Sequence, residues 1–562
     1  MVSAVYLQEC SRNLLRGKIS GKKFFLVLII LISAFSANFK GLKAPFQFDD
    51  EVDILERAAI MVGPINSAFS APFRAVTYFT FGLDWKIGEG KPFQFHLTNM
   101  VFHLLGVFLF FIFVSKIEDP TTGAISALLL AVHPLMASCV TYISARAGLL
   151  SALFSLVVLI LFFTRPTKYW LLPAWLFFLL ALFSKEDAVS LPLLLFALGY
   201  LQNKSSLKSK KEILCVGAFF LIALIYGLVR ISSHKVVLGE AGGLTFSQTL
   251  LLSPYVLLKA LGMVLLPIGM TADHYVTPIR TFGDLRIWFP LSFWSITLAC
   301  LLMKIKDSSL SSLPLIWFVL ALLPSILTPL ADPFAENRLY FATAGIGMGL
   351  GMLIMRVKCG IANSITKKIA FTLTLILMIG SLLLYNLHRQ SVWCSKISLW
   401  GEAVRMAPGK KRPLNNLALA FFDMGDLKKA QFIIEKSIKV DPMDAVAWNT
   451  LGLVLKERKN YVEALIAYEK ALSSAPYLPK IRTNLANVLT ALGKYEEAIK
   501  AYKEALLIDS QDTDAHYGIA FVYFTLKQYE LAESHLSQLL KLNPKDEEAR
   551  LMLQEIENIG KK

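Results

Sequence analysis

AVAWNTLGLVLKERKNYVEALIAYEKALSSAP, residues 445–476, holds two apolar runs of helical period either side of the polar break Arg458–Asn460. Trp448, Leu451, Gly452 and Leu455 recur on one face of the first run, and Ala464, Tyr468 and Ala471 on one face of the second. Small residues stand where two helices would cross closely, and aromatic rings fill the gaps beside them. Such a hairpin cannot cover its own apolar face, so it needs copies of itself. The copies are present. Prolines 408, 442, 476 and 544 are separated by 34, 34 and 68 residues, with Ser510 at the missing step. Leu485, Ala486, Leu489, Ala498, Tyr502 and Ala505 repeat the pattern, as do Ile519, Ala520, Tyr523 and Ala532. Leu417, Ala418, Phe421 and Ala430 repeat it more weakly.

A 34-residue period of this kind is that of tetratricopeptide repeats. The expected solenoid covers 412–562, four repeats closed by a capping helix over Lys545–Ile559. Leu399–Pro408, in register with a second helix, falls in a connector over 391–411 and is expected to dock the array against what precedes it. Asn416, Asn449, Asn484 and Asn487 lie on first helices, where amide side chains could bond the backbone of a peptide acceptor. The plainer reading of these four is ordinary polar surface.

Residues 1–390 belong to a different solvent. The chain is 55% hydrophobic, and apolar runs long enough for a ~30 Å hydrocarbon core recur. They cover 23–40, 96–115, 121–137, 147–164, 169–184, 187–202, 213–231, 249–269, 287–304, 312–330, 340–356 and 366–388. Of the 57 Lys and Arg and 41 Asp and Glu, only 22 and 21 lie from Gly409 onward. Nearly all of the net charge of +16 therefore sits among the apolar runs, as basic cytoplasmic loops produce, and nucleic acid is not an expected partner. The basic start (Arg12, Arg16, Lys18, Lys22, Lys23), 204–211, 304–306 and 356–368 are assigned to the cytoplasm. No A-x-A site follows Phe24–Phe39, so this run is expected to stay as the first transmembrane helix. Twelve crossings would contradict the charge bias. About eleven, with 249–269 (Pro254, Pro267) re-entrant or interfacial, place the C-terminal part outside. Cysteines 10, 139, 215, 300, 359 and 394 show neither zinc nor disulfide spacing, and no Gly-rich phosphate loop occurs.

The external loops then collect the reactive residues. Phe46-Gln-Phe-Asp49-Asp50-Glu51-Val-Asp53 follows the first apolar run. Four carboxylates in five residues outside a membrane helix would bind cations, cap a helix or act as acid and base. Asp53, three residues after Asp50, could cap a first turn. If the stretch is extended, Asp49 and Asp50 point to opposite sides, and Asp50 is ranked narrowly first as a base. Arg74, His96, Asn99, His133, Arg146, Lys185, Glu186, Glu336, Arg338 and Tyr340 fall in the same loops or at helix ends. Ionisable groups converging there imply a polar cavity. The bland alternatives are an interfacial His96, a Lys185–Glu186 helix-end pair, and snorkelling Arg146 and Arg338.

The order of Phe48-Asp49-Asp50, Arg74, Phe95-His96-x-x-Asn99, Ala131-Val-His133-Pro134, Arg146-Ala147, Lys185-Glu186 with Pro192, and Glu336-x-Arg338-Leu339-Tyr340, followed by the repeats, resembles the transmembrane-and-tetratricopeptide protein O-mannosyltransferases and their bacterial relatives, in the GT-C glycosyltransferase class. Ser138 and Gly148 stand where that family carries Glu and Asp. The resemblance implies an all-α, polytopic GT-C membrane domain that moves a hexose, mannose above all, from a polyprenyl-phosphate-linked donor to Ser or Thr hydroxyls of a protein. It implies Asp50 or Asp49 as the base and Arg74, Arg146, Lys185 and Arg338 around the donor phosphate. His96, Asn99, His133, Glu186, Glu336 and Tyr340 would support them. No cofactor is required, though a divalent metal could assist, and no metal ligands are assigned. The setting would be a bacterial inner membrane with periplasmic repeats, or the endoplasmic reticulum with luminal ones. A non-catalytic membrane-anchored scaffold is the alternative, and a transporter the third class.

Overall fold

The computed structural model describes residues 21–166, 169–202, 210–233, 244–279, 281–306, 310–361 and 364–560. The chain is all-α, with no strand among the described residues. It divides into two compact units, one ending at Leu399 and one starting at Trp400.

The first unit contains α1 (Gly21–Asn38), α2 (Ala75–Gly88), α3 (Pro92–Ile117), α4 (Pro120–Val132), α5 (Arg146–Thr164), α6 (Leu171–Leu182), α7 (Leu191–Gln202), α8 (Lys210–Ser233), α9 (Phe246–Leu265), α10 (Leu285–Lys306), α11 (Leu313–Leu327), α12 (Tyr340–Gly360) and α13 (Ile365–Trp393). Apart from α2, each matches one of the apolar runs. Among the described residues nine helices are long and apolar enough to cross a membrane. The other three are α4, α6 and α7, with 13, 12 and 12 residues. At 1.5 Å per residue they reach only about 18–20 Å. Asp119 caps α4, accepting from the amides of Thr121 and Thr122, beside Pro120 at the first helical position.

Connectivity puts the end of α1, the start of α3, the α4–α5 and α6–α7 turns, the end of α11 and the start of α12 on one side. Opposite them, Lys116 at the end of α3 lies within electrostatic range of Lys23 at the start of α1. Glu118 lies within range of Arg356 near the end of α12. Among the basic segments, the start up to Lys18 and positions 204–209 fall outside the described residues.

The exceptional segment is α9. A capping box of Thr245 and Gln248 starts it, and its length alone would let it cross. Its partners indicate otherwise. Ser253 donates to the Ile326 carbonyl at 2.7 Å, Lys259 lies over the Phe334 ring, and the Val264 carbonyl meets His133 at 2.9 Å. These partners belong to the same-side ends of α11 and α4 and to the segment before α12. The helix therefore runs across those ends, with Phe246, Leu250 and Leu265 exposed on its outer face.

The second unit pairs α14 (Lys411–Asp423) with α15 (Leu427–Val440), α16 (Ala445–Glu457) with α17 (Tyr461–Ser474), α18 (Pro479–Ala491) with α19 (Tyr495–Ile508), and α20 (Thr513–Thr525) with α21 (Tyr529–Leu542), closed by α22 (Glu547–Gly560). The small residues act as the repeat pattern requires. A Cβ on Gly452 would meet the Tyr468 ring at 2.6 Å, and one on Gly518 the Tyr502 ring at 2.4 Å.

Candidate active site

The loop after α1 does not run straight through the acidic stretch. Phe48 takes φ +58°, a conformation costly for a bulky residue, and the chain turns into a single π-helical stretch, Glu51–Leu55. That turn, rather than an extended strand, separates the acidic pair. Asp49 is exposed and accepts from the Tyr142 hydroxyl at 2.6 Å. Asp50 is fully buried. It accepts from the Gln47 amide at 3.1 Å and from the Ser144 amide and hydroxyl, each at 2.8 Å. Burial pushes its carboxyl up to about 7, against the lowering effect of the Gln47 and Ser144 bonds.

Asp50 is thus an interior clamp between two loops, and Asp49 is the exposed member of the pair. The cap assigned to Asp53 is also replaced. Asp53 accepts from the Tyr78 hydroxyl at 2.7 Å, and no side chain caps the turn at Asp50.

A cationic cluster forms around the α6–α7 turn. Arg74 and Arg230 both reach Glu186 at 3.1 Å. Lys185 pairs with Asp187 at 2.5 Å, not with Glu186. Burial alone would raise the Glu186 carboxyl, but Arg74, Arg230 and Lys185 hold it well below the usual carboxylate range. Arg338 donates to the Asp332 carbonyl at 2.8 Å and lies within range of Asp187, Glu186 and Arg74. A cleft of about 420 Å³, counting its open mouth, is lined by Gly148, Ser151, Lys185, Asp187, Asn337 and Arg338. Tyr78 links this cluster to the acidic turn, within range of Asp53 on one side and Arg74 on the other.

Arg146 does not belong to this cluster. It is fully buried and pairs with Asp84 at 2.6 Å. Its other donors go to Asn99 Oδ1 at 2.6 Å, Thr80 at 3.2 Å and the Phe95 carbonyl at 2.8 Å. An arginine with its fork so occupied cannot take a donor phosphate, so that assignment is corrected. Asn99 in turn holds the Val140 carbonyl at 3.1 Å, fixing the segment that carries Tyr142 and Ser144.

The supporting residues lock elements together. His96 meets the Ala44 carbonyl at 2.8 Å, and His133 ties α4 to α9. Tyr340 lines the cleft, and its hydroxyl meets His103 at 3.1 Å. Glu336 is buried in a separate knot, accepting from the Thr271 amide at 2.6 Å and facing His274 at 3.0 Å. In the repeats, Asn484 donates to Asn449 at 3.0 Å, and Asn487 accepts from Tyr502 at 2.6 Å. Asn416 is partly buried on α14. Among the described residues no group of three or more His, Cys, Asp or Glu could hold a metal ion.

Sequence reasoning missed Tyr142, Ser144, Asp84, Arg230 and His274. Tyr142 and Ser144 lie between His133 and Arg146, in a loop already singled out. Arg230, a lone cation in the run 213–231, carried the signal of an intramembrane charge.

Fold and site together define a multi-pass helical membrane protein with a carboxylate and cation-rich face and a tetratricopeptide unit. Its homologues are protein O-mannosyl-transferases of the transmembrane-and-tetratricopeptide family. The chain is 24% identical over 456 residues to "Protein O-mannosyl-transferase F38B6.6" of Caenorhabditis elegans, covering 76% of this chain and 64% of that protein. It is 25% identical over 513 residues to "Protein O-mannosyl-transferase TMTC3" of Mus musculus, covering 80% and 55%. The chain thus spans between about half and two thirds of the length of these relatives. Residues 397–550 match the family described as "Cytochrome c-type biogenesis protein H TPR domain". Among solved structures, "Crystal structure of MamA" is similar at 20% identity, over 26% of this chain and 87% of that one, with a TM-score of 0.25.

Proposed function

We propose that this protein is an inverting GT-C glycosyltransferase that moves a hexose, mannose by its relatives' names, from a polyprenyl-phosphate carrier to Ser or Thr hydroxyls of a protein. The observation that carries the reading is an exposed carboxylate, Asp49, in a turn that Tyr78 links through Asp53 to Arg74, around whose partner Glu186 the cations Arg230, Lys185 and Arg338 gather. A serine or threonine hydroxyl is a poor nucleophile, and in this reading Asp49 accepts its proton as the oxygen attacks the anomeric carbon. The C–O bond forms as the bond to the carrier phosphate breaks. One such displacement inverts the centre and needs one base rather than a glycosidase pair.

Charge grows on the leaving phosphate, and the cations beside the cleft stabilise it. Arginine suits that role because its fork pairs phosphate bidentately. Glu186 keeps Arg74 and Arg230 aligned before the donor arrives. A divalent metal could assist the leaving group. The repeat unit recruits the acceptor polypeptide, and the site faces away from the cytoplasm, in the periplasm of a bacterial inner membrane or the lumen of the endoplasmic reticulum.

The test is purified, reconstituted protein given polyprenyl-phospho-mannose and candidate acceptors, with added hexose read by mass spectrometry. Asp49→Asn, folded and inserted, is expected to abolish transfer while Asp50→Asn keeps a measurable rate. Full activity of Asp49→Asn would sink the assignment.

A further inference from the structure

The acidic turn is gripped by the end of the last membrane helix. Trp393, the final residue of α13, stacks on Tyr142 with ring centroids 5.6 Å apart and planes 24° apart. Both rings are buried. The Tyr142 hydroxyl donates to Asp49, and the Phe48 ring packs on Tyr142 at 5.8 Å. The Trp393 carbonyl accepts from the Gln47 side chain at 3.0 Å, and the backbone amide of Gln47 donates to Asp50. Three residues beyond Trp393, Lys396 pairs with Glu51. One turn earlier, Gln390 accepts from Thr141 at 2.5 Å and donates to Asn38 at 2.8 Å.

We infer that Tyr142 and Trp393 are positioning residues for Asp49, making the end of α13 a working part of the site. The inference rests on Asp49 being the base. A phenol-to-carboxylate hydrogen bond is directional, so the plane of the Tyr142 ring sets where Asp49 points. A flat partner at stacking distance fixes that plane. Phe48, held at φ +58°, keeps its strained turn only while surrounding contacts define it. Because the chain continues from α13 towards the repeats, a displacement at 393–396 reaches Asp49 through one ring stack and one hydrogen bond. Asp49, Asp50 and Asp53 all lie within electrostatic range of Tyr142, and the Glu51–Lys396 pair stands on the same turn.

The experiment compares pH–rate profiles of the reconstituted full chain and its variants. Tyr142→Phe removes a donor to the base, so its carboxyl becomes harder to ionise. The acid limb moves to higher pH and kcat falls about tenfold to a hundredfold, with donor KM unchanged. Trp393→Leu shifts both in the same direction, Trp393→Phe restores them, and the double variant is no worse than Tyr142→Phe alone. A wild-type profile for Trp393→Leu, or additive losses, overturns the inference. Failure of the function itself looks different: no transfer by the wild type, or full transfer by Asp49→Asn. The coupling is then read by hydrogen exchange at residues 46–51. Lost protection in both Tyr142→Phe and Trp393→Leu supports it, and unchanged protection in Trp393→Leu overturns it.

Discussion

Arg146 and Asp84 face each other at 2.6 Å with 0% and 3% of their side chains exposed, between the Phe81 and Phe95 rings, which lie 4.7 and 5.7 Å from the guanidinium carbon. Thr98 adds a bond to Asp84 at 2.7 Å. A pair so enclosed is neutralised within the protein, with the arginine's donors already engaged by Asn99, Thr80 and Phe95. Removing one partner leaves a buried charge uncompensated, at about 3–5 kcal/mol. Arg146→Ala and Asp84→Ala are each expected to lower the melting temperature of the detergent-purified protein strongly. Donor affinity per folded molecule should stay unchanged. If Arg146→Lys kept wild-type stability but lost donor affinity, the arginine would return to the phosphate site.

Asp50 predicts a pH dependence of stability. Its carboxyl is raised from 3.8 to about 7 by burial. Between these values the folded protein holds a proton that the unfolded chain has released. Linkage then makes stability fall as pH rises through that window, by up to about 1.4 kcal/mol per pH unit from this group. The cost persists above pH 7. Asp50→Asn cannot ionise, so the fall between pH 5 and pH 8 should be shallower than in the wild type. Melting curves across that range check it, and parallel curves for the two proteins refute the burial argument.

The cationic cluster predicts a role for a residue outside every motif. Arg230 reaches Glu186 at 3.1 Å, as Arg74 does. Arg74→Ala and Arg230→Ala should each weaken binding of polyprenyl phosphate by about tenfold to a hundredfold, since one charged hydrogen bond contributes about 1.5–3 kcal/mol. Arg230→Lys should recover only part, because an ammonium lacks the fork. Titration of nanodisc-held protein with a short-chain polyprenyl phosphate measures both. Unaltered affinity in Arg230→Ala would confine the residue to orienting Glu186.

The period-34 pattern exposed the solenoid because a repeat signals itself at every copy, and the apolar runs exposed the membrane helices because lipid tolerates little else. Even the odd segment, α9, was legible, since charge bias and helix count disagreed by one crossing. The site was less so. Sequence order shows that Asp49 and Asp50 are adjacent, but not that Phe48 turns the backbone and sends one carboxylate inward. Nor does it show that Arg146 finds Asp84, 62 positions earlier, before any ligand can. Partner choice among buried polar groups is a tertiary decision, made by packing that no local pattern records.

The repeats carry a prediction about turns. Gly425, Lys459, Gly493 and Lys527 follow the first helix of successive repeats at intervals of 34, with φ of +78°, +62°, +75° and +60°. All four are left-handed helix ends, where glycine avoids a Cβ clash that costs other residues about 1 kcal/mol. Two repeats thus have the residue the turn prefers and two have lysine in the same conformation. Lys459→Gly and Lys527→Gly should each stabilise their own repeat by about 0.5–1 kcal/mol, the relief of strain being offset in part by the greater freedom of the unfolded chain. Gly425→Lys and Gly493→Lys should do the reverse. Hydrogen exchange on the full chain, read hairpin by hairpin, separates these effects from the membrane helices. Solenoid stability is a sum over repeats and their neighbours, so the change should be greatest at the substituted hairpin and decay outward. Equal shifts across all four hairpins would instead mean that the array opens as one cooperative block.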